Sequence, residues 1–198
     1  EVIKNRFEVA LSIHTRHTKT METCLQMGAD WINDIAALQD KGALEVVAKY
    51  QPYVCLMHMQ GTPQTMQDNP TYQEVVEEVK AFLNGRVEAC IKAGLSKEKI
   101  TVDPGFCFGK TLAHNYTLLN RLSEFKTLSC PIFVSFSRKS MFGKLLNLPH
   151  EERLAASLSA TGMAVLKGAK IIRTHDVKPT KEAALVAHAT LMEGAFHG

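Results

Sequence analysis

The stretch ITVDPGFCFGKTLAHN (residues 100–115) contains a complete structural unit. A short apolar run ends on Asp103, a proline and two glycines follow, and Lys110 precedes a segment with helical character. Proline and glycine at these positions predict a tight, rigid bend. A buried strand that finishes on a carboxylate presents that carboxylate to the space beyond the strand. The stretch therefore predicts a strand, a loop and a helix, with Asp103 facing a ligand.

The same unit recurs along the chain. Short apolar runs, mostly β-branched or aromatic, lie at residues 8–15, 31–35, 53–59, 100–105, 131–137 and 170–175. Such runs are too short for helices and are typical of strands buried on both faces of a parallel sheet. Amphipathic helical patterns lie between them, as in residues 71–94, where Gly94 is expected to end the helix. The alternation predicts an α/β fold with about six βα units.

Two architectures fit this alternation, an open doubly wound sheet and a closed (βα)₈ barrel. The predicted strands all end in polar residues, at His14, Asn33, His58, Asp103, Ser137–Lys139 and Arg173–His175. An open sheet gathers its ligand at one switch point, whereas a barrel draws site residues from many strand ends. We therefore predict a (βα)₈ TIM barrel. Since a barrel needs eight units, residues 1–198 are expected to form one partial barrel domain that lacks the first two βα units.

Composition narrows the class of protein. The chain has 198 residues, 45% of them hydrophobic, and a formal net charge of +3 with scattered Lys and Arg. This predicts no nucleic-acid partner, and the sequence holds no apolar run of the roughly 20 residues that span a membrane. Five widely spaced cysteines indicate reduced thiols and a cytoplasmic location.

Six motifs in order carry a family resemblance. They are SIHT (12–15), WINDI (31–35), MHMQGTPQTMQ (57–67), VDPGFCFGKTLAHN (102–115), SRKS (137–140) and IIRTHDV (171–177). Together they resemble the dihydropteroate synthases, (βα)₈ enzymes of folate biosynthesis and targets of sulfonamides. The resemblance covers essentially the whole chain and aligns it with the third to the eighth strand of the barrel.

The resemblance implies that 4-aminobenzoate displaces diphosphate from (7,8-dihydropterin-6-yl)methyl diphosphate. Asp103 would accept the N–H donors of the pterin edge, Asn33 would meet the ring nitrogens, and Lys139 would lie near the carbonyl group. Phe108 and Met59 are expected to supply apolar pocket surface.

The resemblance also implies a phosphate end of the site. Arg173, Thr174 and His175 would bind the diphosphate, and Ser137 and Lys139 would position 4-aminobenzoate. Lys139, Arg173 and His175 form the expected catalytic set. Lys110 is interpreted as a residue that opens the following helix or pairs at the surface, outside that set.

Two positions depart from the family pattern. The family has an aspartate where this chain has His14, and a glycine where it has Ser135. We expect His14 to face the pterin and to stabilise positive charge poorly. The enzyme is then a weak or altered one, and His14→Asp in a completed barrel raises turnover. By resemblance the enzyme uses Mg²⁺, whose protein ligand is expected outside this chain, and forms a homodimer. The isolated chain is therefore expected to be inactive.

The sequence leaves two other functions open. The first is a pterin-binding barrel that transfers a methyl group from methyltetrahydrofolate. The SRKS and RTHDV motifs disfavour it, because methyl transfer leaves no diphosphate to bind. The second is a non-catalytic remnant that acts only as a binding or interaction subunit.

Overall fold

The computed structural model describes residues 2–193 and contains one six-stranded sheet. The strands are β1 (Ser12–His14), β2 (Trp31–Asp34), β3 (Tyr53–Met57), β4 (Ile100–Asp103), β5 (Ile132–Ser135) and β6 (Ala169–Arg173). All five neighbouring pairs are parallel, and the strands follow one another in chain order. The predicted parallel α/β fold is confirmed, with one strand in each predicted apolar run.

Within residues 2–193, eight α-helices precede, connect and cover these strands. They are α1 (Val2–Arg6), α2 (Thr18–Gln26), α3 (Ala43–Tyr50), α4 (Val75–Lys92), α5 (Leu112–Asn120), α6 (Ser140–Leu146), α7 (Leu154–Leu166) and α8 (Val177–Leu191). In α4 the apolar residues Val76, Val79, Leu83 and Val87 recur at helical spacing and are all buried. The helix ends just before Gly94, which has a φ of 100°, as the sequence predicts. The apolar face of an amphipathic helix such as α4 packs against the sheet and covers it from solvent.

The strand register brings the polar strand ends to one edge of the sheet. His14 lies opposite Asn33 in the β1–β2 pair, Met57 lies opposite Asp103 in the β3–β4 pair, and Ser135 lies opposite Arg173 in the β5–β6 pair. Because parallel strands share a direction, residues that are far apart in the sequence become neighbours there. The functional site is built on this edge.

The order β1 to β6 is that of successive barrel strands, and the sheet forms a curled part of a TIM barrel. Within residues 2–193, β1 and β6 each pair with one strand only. The domain boundaries and the absence of two units stay predictions. None of the described helices combines the length and apolarity needed to cross a lipid bilayer.

Candidate active site

A hollow lined by both polar and apolar side chains lies at the carboxyl ends of the strands. It encloses about 510 Å³ including its mouth. Its lining residues are His14, Asn33, Ile35, Met57, Asp103, Phe108, Phe133, Ser135, Ser137, Lys139, Arg173 and His175. Eight of the ten residues that the sequence singles out as site residues thus share one space, although they come from five strands or the loops that follow them.

Asp103 ends β4 at the base of this hollow and is only 3% exposed. One carboxylate oxygen accepts a hydrogen bond from the Gly105 N–H at 2.7 Å. Burial raises the pKa of Asp103, while the charges of Lys139, Lys110 and Arg173 and the Gly105 N–H oppose the rise. Since no ion pair within 4 Å involves Asp103 among the described residues, the carboxylate can still accept donors from a ligand.

The loop after β4 packs tightly against the chain that leaves β3. Gly105 has a φ of 72°, and a Cβ there would lie 1.9 Å from the His58 carbonyl oxygen. Gly109 has a φ of 64°, and a Cβ would lie 2.5 Å from the Gln60 carbonyl oxygen. Both positions therefore require glycine. This close approach places Phe108 in the wall of the hollow.

Lys139 spans the hollow from the loop after β5. Its ammonium donates to the Phe106 carbonyl at 2.5 Å and lies 5.1 Å from the centre of the Phe108 ring. Burial lowers the pKa of Lys139, and the nearby Asp103 carboxylate opposes that change. Lys139 and Asp103 thus form the charged floor of the site without a direct ion pair.

The opposite end of the hollow carries Arg173 and His175. Both side chains are exposed, and as residues i and i+2 they can project to the same side. His175 Nδ1 lies 3.2 Å from Ser137 Oγ, and the His175 N–H donates to the same oxygen at 3.3 Å. The strand ends of β5 and β6 are therefore joined at the rim.

His14 lines the hollow beside these groups. Burial lowers the pKa of His14, the Arg173 charge lowers it further, and Asp34 opposes both. The imidazole is therefore neutral at pH 7. Asp34 accepts the N–H groups of Ala36 (2.8 Å) and Leu38 (2.7 Å), so it shapes the loop after β2.

Two predicted site residues do not reach the hollow. Met57, two residues earlier than Met59, occupies the expected position, because β3 ends at Met57 and the chain then turns into a loop. Thr174 Oγ1 lies 3.0 Å from Thr180 Oγ1 and accepts the Asp176 N–H. It therefore shapes the turn into α8 rather than lining the hollow.

Sequence reasoning missed two residues that support the site. Lys110, expected at the surface, is buried beside His58. Arg138 has a φ of 49° and binds the Asp176 carboxylate through Nε and Nη2, at 3.0 and 2.8 Å. The Arg-Lys pair within SRKS was the only available signal for Arg138. The amino-acid pattern contains no signal that Lys110 is buried, because its burial depends on contacts made only in the folded chain.

The described residues do not form a site for a divalent cation. Among residues 2–193, no group of three or more His, Cys, Asp or Glu side chains is placed to hold a metal ion. The Asp34 carboxylate is occupied by two backbone N–H groups, and one Asp103 oxygen by a third. These residues alone do not fit Mg²⁺, which prefers six oxygen ligands in a regular octahedron.

The fold and the site together define a class of protein. A partial (βα)₈ barrel presents a buried carboxylate, an amide and a lysine at the base of a hollow whose rim carries an arginine. The sequence model of the family described as "Pterin binding enzyme" matches residues 1–175. The chain belongs to this family.

Relatives and solved structures refine this class. The chain is 49% identical over 191 residues to the dihydropteroate synthase of Escherichia coli K12, a match that covers 96% of this chain and 68% of the relative. It resembles the Yersinia pestis dihydropteroate synthase in a sulfonamide drug complex, with a TM-score of 0.93, 45% identity and coverage of 96% and 70% of the two chains. A Xanthomonas albilineans dihydropteroate synthase with 4-aminobenzoic acid gives a TM-score of 0.88, 38% identity and coverage of 94% and 67%. Within the family, the function is that of the dihydropteroate synthases, transferases of folate biosynthesis.

Proposed function

We propose that the hollow at the strand ends binds (7,8-dihydropterin-6-yl)methyl diphosphate and 4-aminobenzoate and joins them to 7,8-dihydropteroate. One observation carries this proposal: Asp103, Lys139 and Arg173 face a single space although they come from three different strand ends. A ring with N–H donors at one end and a diphosphate at the other matches that order of charges. The methyltransferase alternative provides no ligand for the exposed Arg173.

The base of the hollow recognises the pterin. The pterin edge offers an exocyclic NH₂ and a ring N–H, and the Asp103 carboxylate is an acceptor for both. Asn33 is buried and lines the same space, so its amide can pair with ring nitrogens. Phe108 and Met57 supply the apolar surfaces, and Lys139 is the cation next to the ring.

The rim binds the diphosphate and assists its departure. The Arg173 guanidinium can bind phosphate oxygens as a fork, and the His175 imidazole lies beside it. The bond between the pterin methylene carbon and the diphosphate oxygen breaks, and the electron pair leaves with the diphosphate. The 4-aminobenzoate nitrogen then donates its lone pair to that carbon and releases a proton to solvent. Catalysis rests on positioning and on stabilising the departing charge.

Ser137 and Lys139 are the residues proposed to position 4-aminobenzoate. Ser137 Oγ lies against His175 at the rim, between the base of the hollow and the solvent. The Xanthomonas albilineans structure with 4-aminobenzoic acid and the Yersinia pestis sulfonamide complex support this class of second substrate. Mg²⁺ is implied by the family resemblance only, and none of the proposed steps passes through it.

The proposal extends to location and assembly. All five cysteines lie among the described residues and are free, which favours a reducing compartment such as the cytoplasm. We propose a homodimer by resemblance, and exposed apolar side chains on α6 and α7 support it.

Titration calorimetry with the pterin diphosphate tests the site. The protein should bind it, and Asp103→Asn should weaken binding about 100-fold, because two hydrogen bonds to a charged acceptor are lost. Asn keeps the shape and can still accept the Gly105 N–H. The exposed Asp68→Asn is the matched control and should bind normally. Equal affinity of the Asp103→Asn variant and the unmodified protein would refute the assignment of Asp103.

A further inference from the structure

A buried lysine lies directly behind the Phe108 wall of the hollow. Lys110 is 2% exposed and does not line the hollow itself. Its ammonium lies 2.9 Å from His58 Nδ1 and donates to the Phe108 carbonyl at 3.0 Å. Among the described residues no carboxylate pairs with it within 4 Å. Burying an ammonium without an ion pair costs several kcal/mol, so packing alone does not explain a lysine here.

His58 provides a fixed acceptor for this lysine. Its ring is buried and packs edge-on against Phe82, with the centroids 5.0 Å apart. Burial lowers the pKa of His58 to about 3, and the Lys110 charge adds to this effect. The imidazole is therefore neutral, and its Nδ1 lone pair faces the ammonium. Because the His58 ring cannot shift without disturbing Phe82, it anchors Lys110.

The loop between Phe106 and Phe108 is held at each of its three residues. Lys139 donates to the Phe106 carbonyl at 2.5 Å. The Cys107 N–H donates to Asn115 at 2.6 Å, and the Cys107 carbonyl accepts from Gln67 at 2.5 Å. The Phe108 carbonyl accepts from Lys110. Cys107 also has a φ of 68°, a conformation that costs a non-glycine residue about 1–2 kcal/mol and must be held by its surroundings.

We propose that Lys110 is a positioning residue for the synthase site: anchored on His58, it fixes the Phe108 peptide and thereby the Phe108 ring against the pterin. The inference rests on the proposed function, since it needs a pterin beside Phe108. The charges of Lys110 and Asp103 also interact, although the two groups form no ion pair. Burial lowers the pKa of Lys110 to about 7, and the Asp103 charge opposes this, so each group favours the charged form of the other.

Thiol labelling tests the hold on the loop without any ligand. Cys107 and Cys24 are partly exposed, whereas the other three cysteines are buried. In a Cys24→Ser background, an aromatic disulfide reagent should therefore label Cys107 first. Lys110→Met should raise the labelling rate of Cys107 about tenfold. The variant lacks the buried hydrogen bond to the Phe108 carbonyl, so the loop opens locally more often. The buried cysteines report global unfolding in the same sample and should stay protected.

Pterin binding tests the consequence for the site. Lys110→Met should weaken the pterin diphosphate about tenfold in calorimetry, and Lys110→Arg, which can still donate to the Phe108 carbonyl, should recover most of the affinity. Lys181→Met removes an exposed lysine from α8, away from the loop, and is the matched control. It should change neither the labelling rate nor the affinity.

The outcomes separate the two proposals. An unchanged labelling rate in Lys110→Met overturns the inference whether or not pterin binds, and so does faster labelling with unchanged pterin affinity. If the unmodified protein binds no pterin, the proposed function fails. The labelling rate of Cys107 then still shows whether Lys110 stabilises the loop. If Lys110→Met also exposes the buried cysteines, the same two measurements are made on His58→Phe. This variant keeps Lys110 and removes the imidazole that anchors it. Unchanged labelling and affinity in that variant would contradict the role.

Discussion

Position 14 shows how much one residue can alter the site. His14 lines the hollow and lies opposite Asn33 in the register, where the family resemblance places an aspartate. Burial and the Arg173 charge lower the pKa of His14, so the imidazole carries no charge at pH 7. In the proposed reaction, departure of the diphosphate leaves positive charge on the pterin methylene carbon, and a neutral ring cannot stabilise that charge. The site lacks one aimed electrostatic partner as a result.

His14→Asp is therefore expected to raise turnover. A carboxylate aimed at the developing cation contributes about 2–4 kcal/mol, which corresponds to roughly 30–1000-fold in rate. The change is measured as release of diphosphate, with both substrates and Mg²⁺ present, by this chain joined to the first two βα units of a dihydropteroate synthase relative. His17→Asp alters an exposed histidine nearby and should have no effect. An unchanged rate in His14→Asp would show that position 14 does not limit the reaction.

At the scale of elements, an ion pair joins the loop after β5 to the loop after β6. The Arg138 guanidinium binds both Asp176 carboxylate oxygens, and it also donates to the Glu151 carbonyl at 2.9 Å. Arg138 precedes Lys139, and Asp176 follows His175. The pair therefore fixes the distance between the base of the site and its rim.

Asp176→Asn is expected to destabilise the protein in a pH-dependent way. The hydrogen bonds from Arg138 lower the pKa of Asp176, so the carboxylate stabilises the fold above about pH 4 and loses this contribution as the pH falls through the lowered pKa. In urea unfolding, the free energy of unfolding of the variant should fall below that of the unmodified protein at pH 7, and this gap should be smaller at pH 3. Glu182→Gln on α8 removes an exposed carboxylate and serves as the control. A gap of equal size at both pH values would contradict the ion-pair account.

The element boundaries show where periodicity stops being informative. Residues 8–15 look like one apolar run, yet only Ser12–His14 form β1, because residues 8–11 make no strand pairing in the structure. The run at 53–59 ends as a strand at Met57, and this end decides that Met57 lines the hollow while Met59 does not. Hydrogen bonding to β4 determines where β3 stops, and the amino-acid pattern does not encode that limit.

At the scale of the whole molecule, α6 and α7 expose a patch that consists of Leu145, Leu146, Met163 and Leu166. Each of these side chains is at least 44% exposed, and the first three line one shallow apolar hollow. Contiguous apolar surface of this kind marks an interaction site. The patch is our candidate for the surface between the two copies of the proposed homodimer.

Met163→Lys is expected to dissociate that dimer. A lysine within the patch must be desolvated on association, so the variant should elute as a monomer while the unmodified protein elutes as a dimer. Size-exclusion chromatography with light scattering measures the mass. Ile91→Lys replaces an exposed apolar residue on α4, outside the patch, and should leave the dimer intact. A dimeric Met163→Lys variant would place the interface elsewhere.

The sequence by itself determined the number, order and type of the strands, because apolar periodicity and glycine or proline punctuation act over a few residues. It also placed Asp103, Asn33, Lys139 and Arg173 at strand ends, and parallel strands bring such ends together in any fold of this kind. Only the tertiary structure decided that Lys110 is buried on His58 and that Thr174 turns away to Thr180. The physical reason is range: burial and hydrogen-bond partners depend on contacts between distant segments, which local pattern does not record.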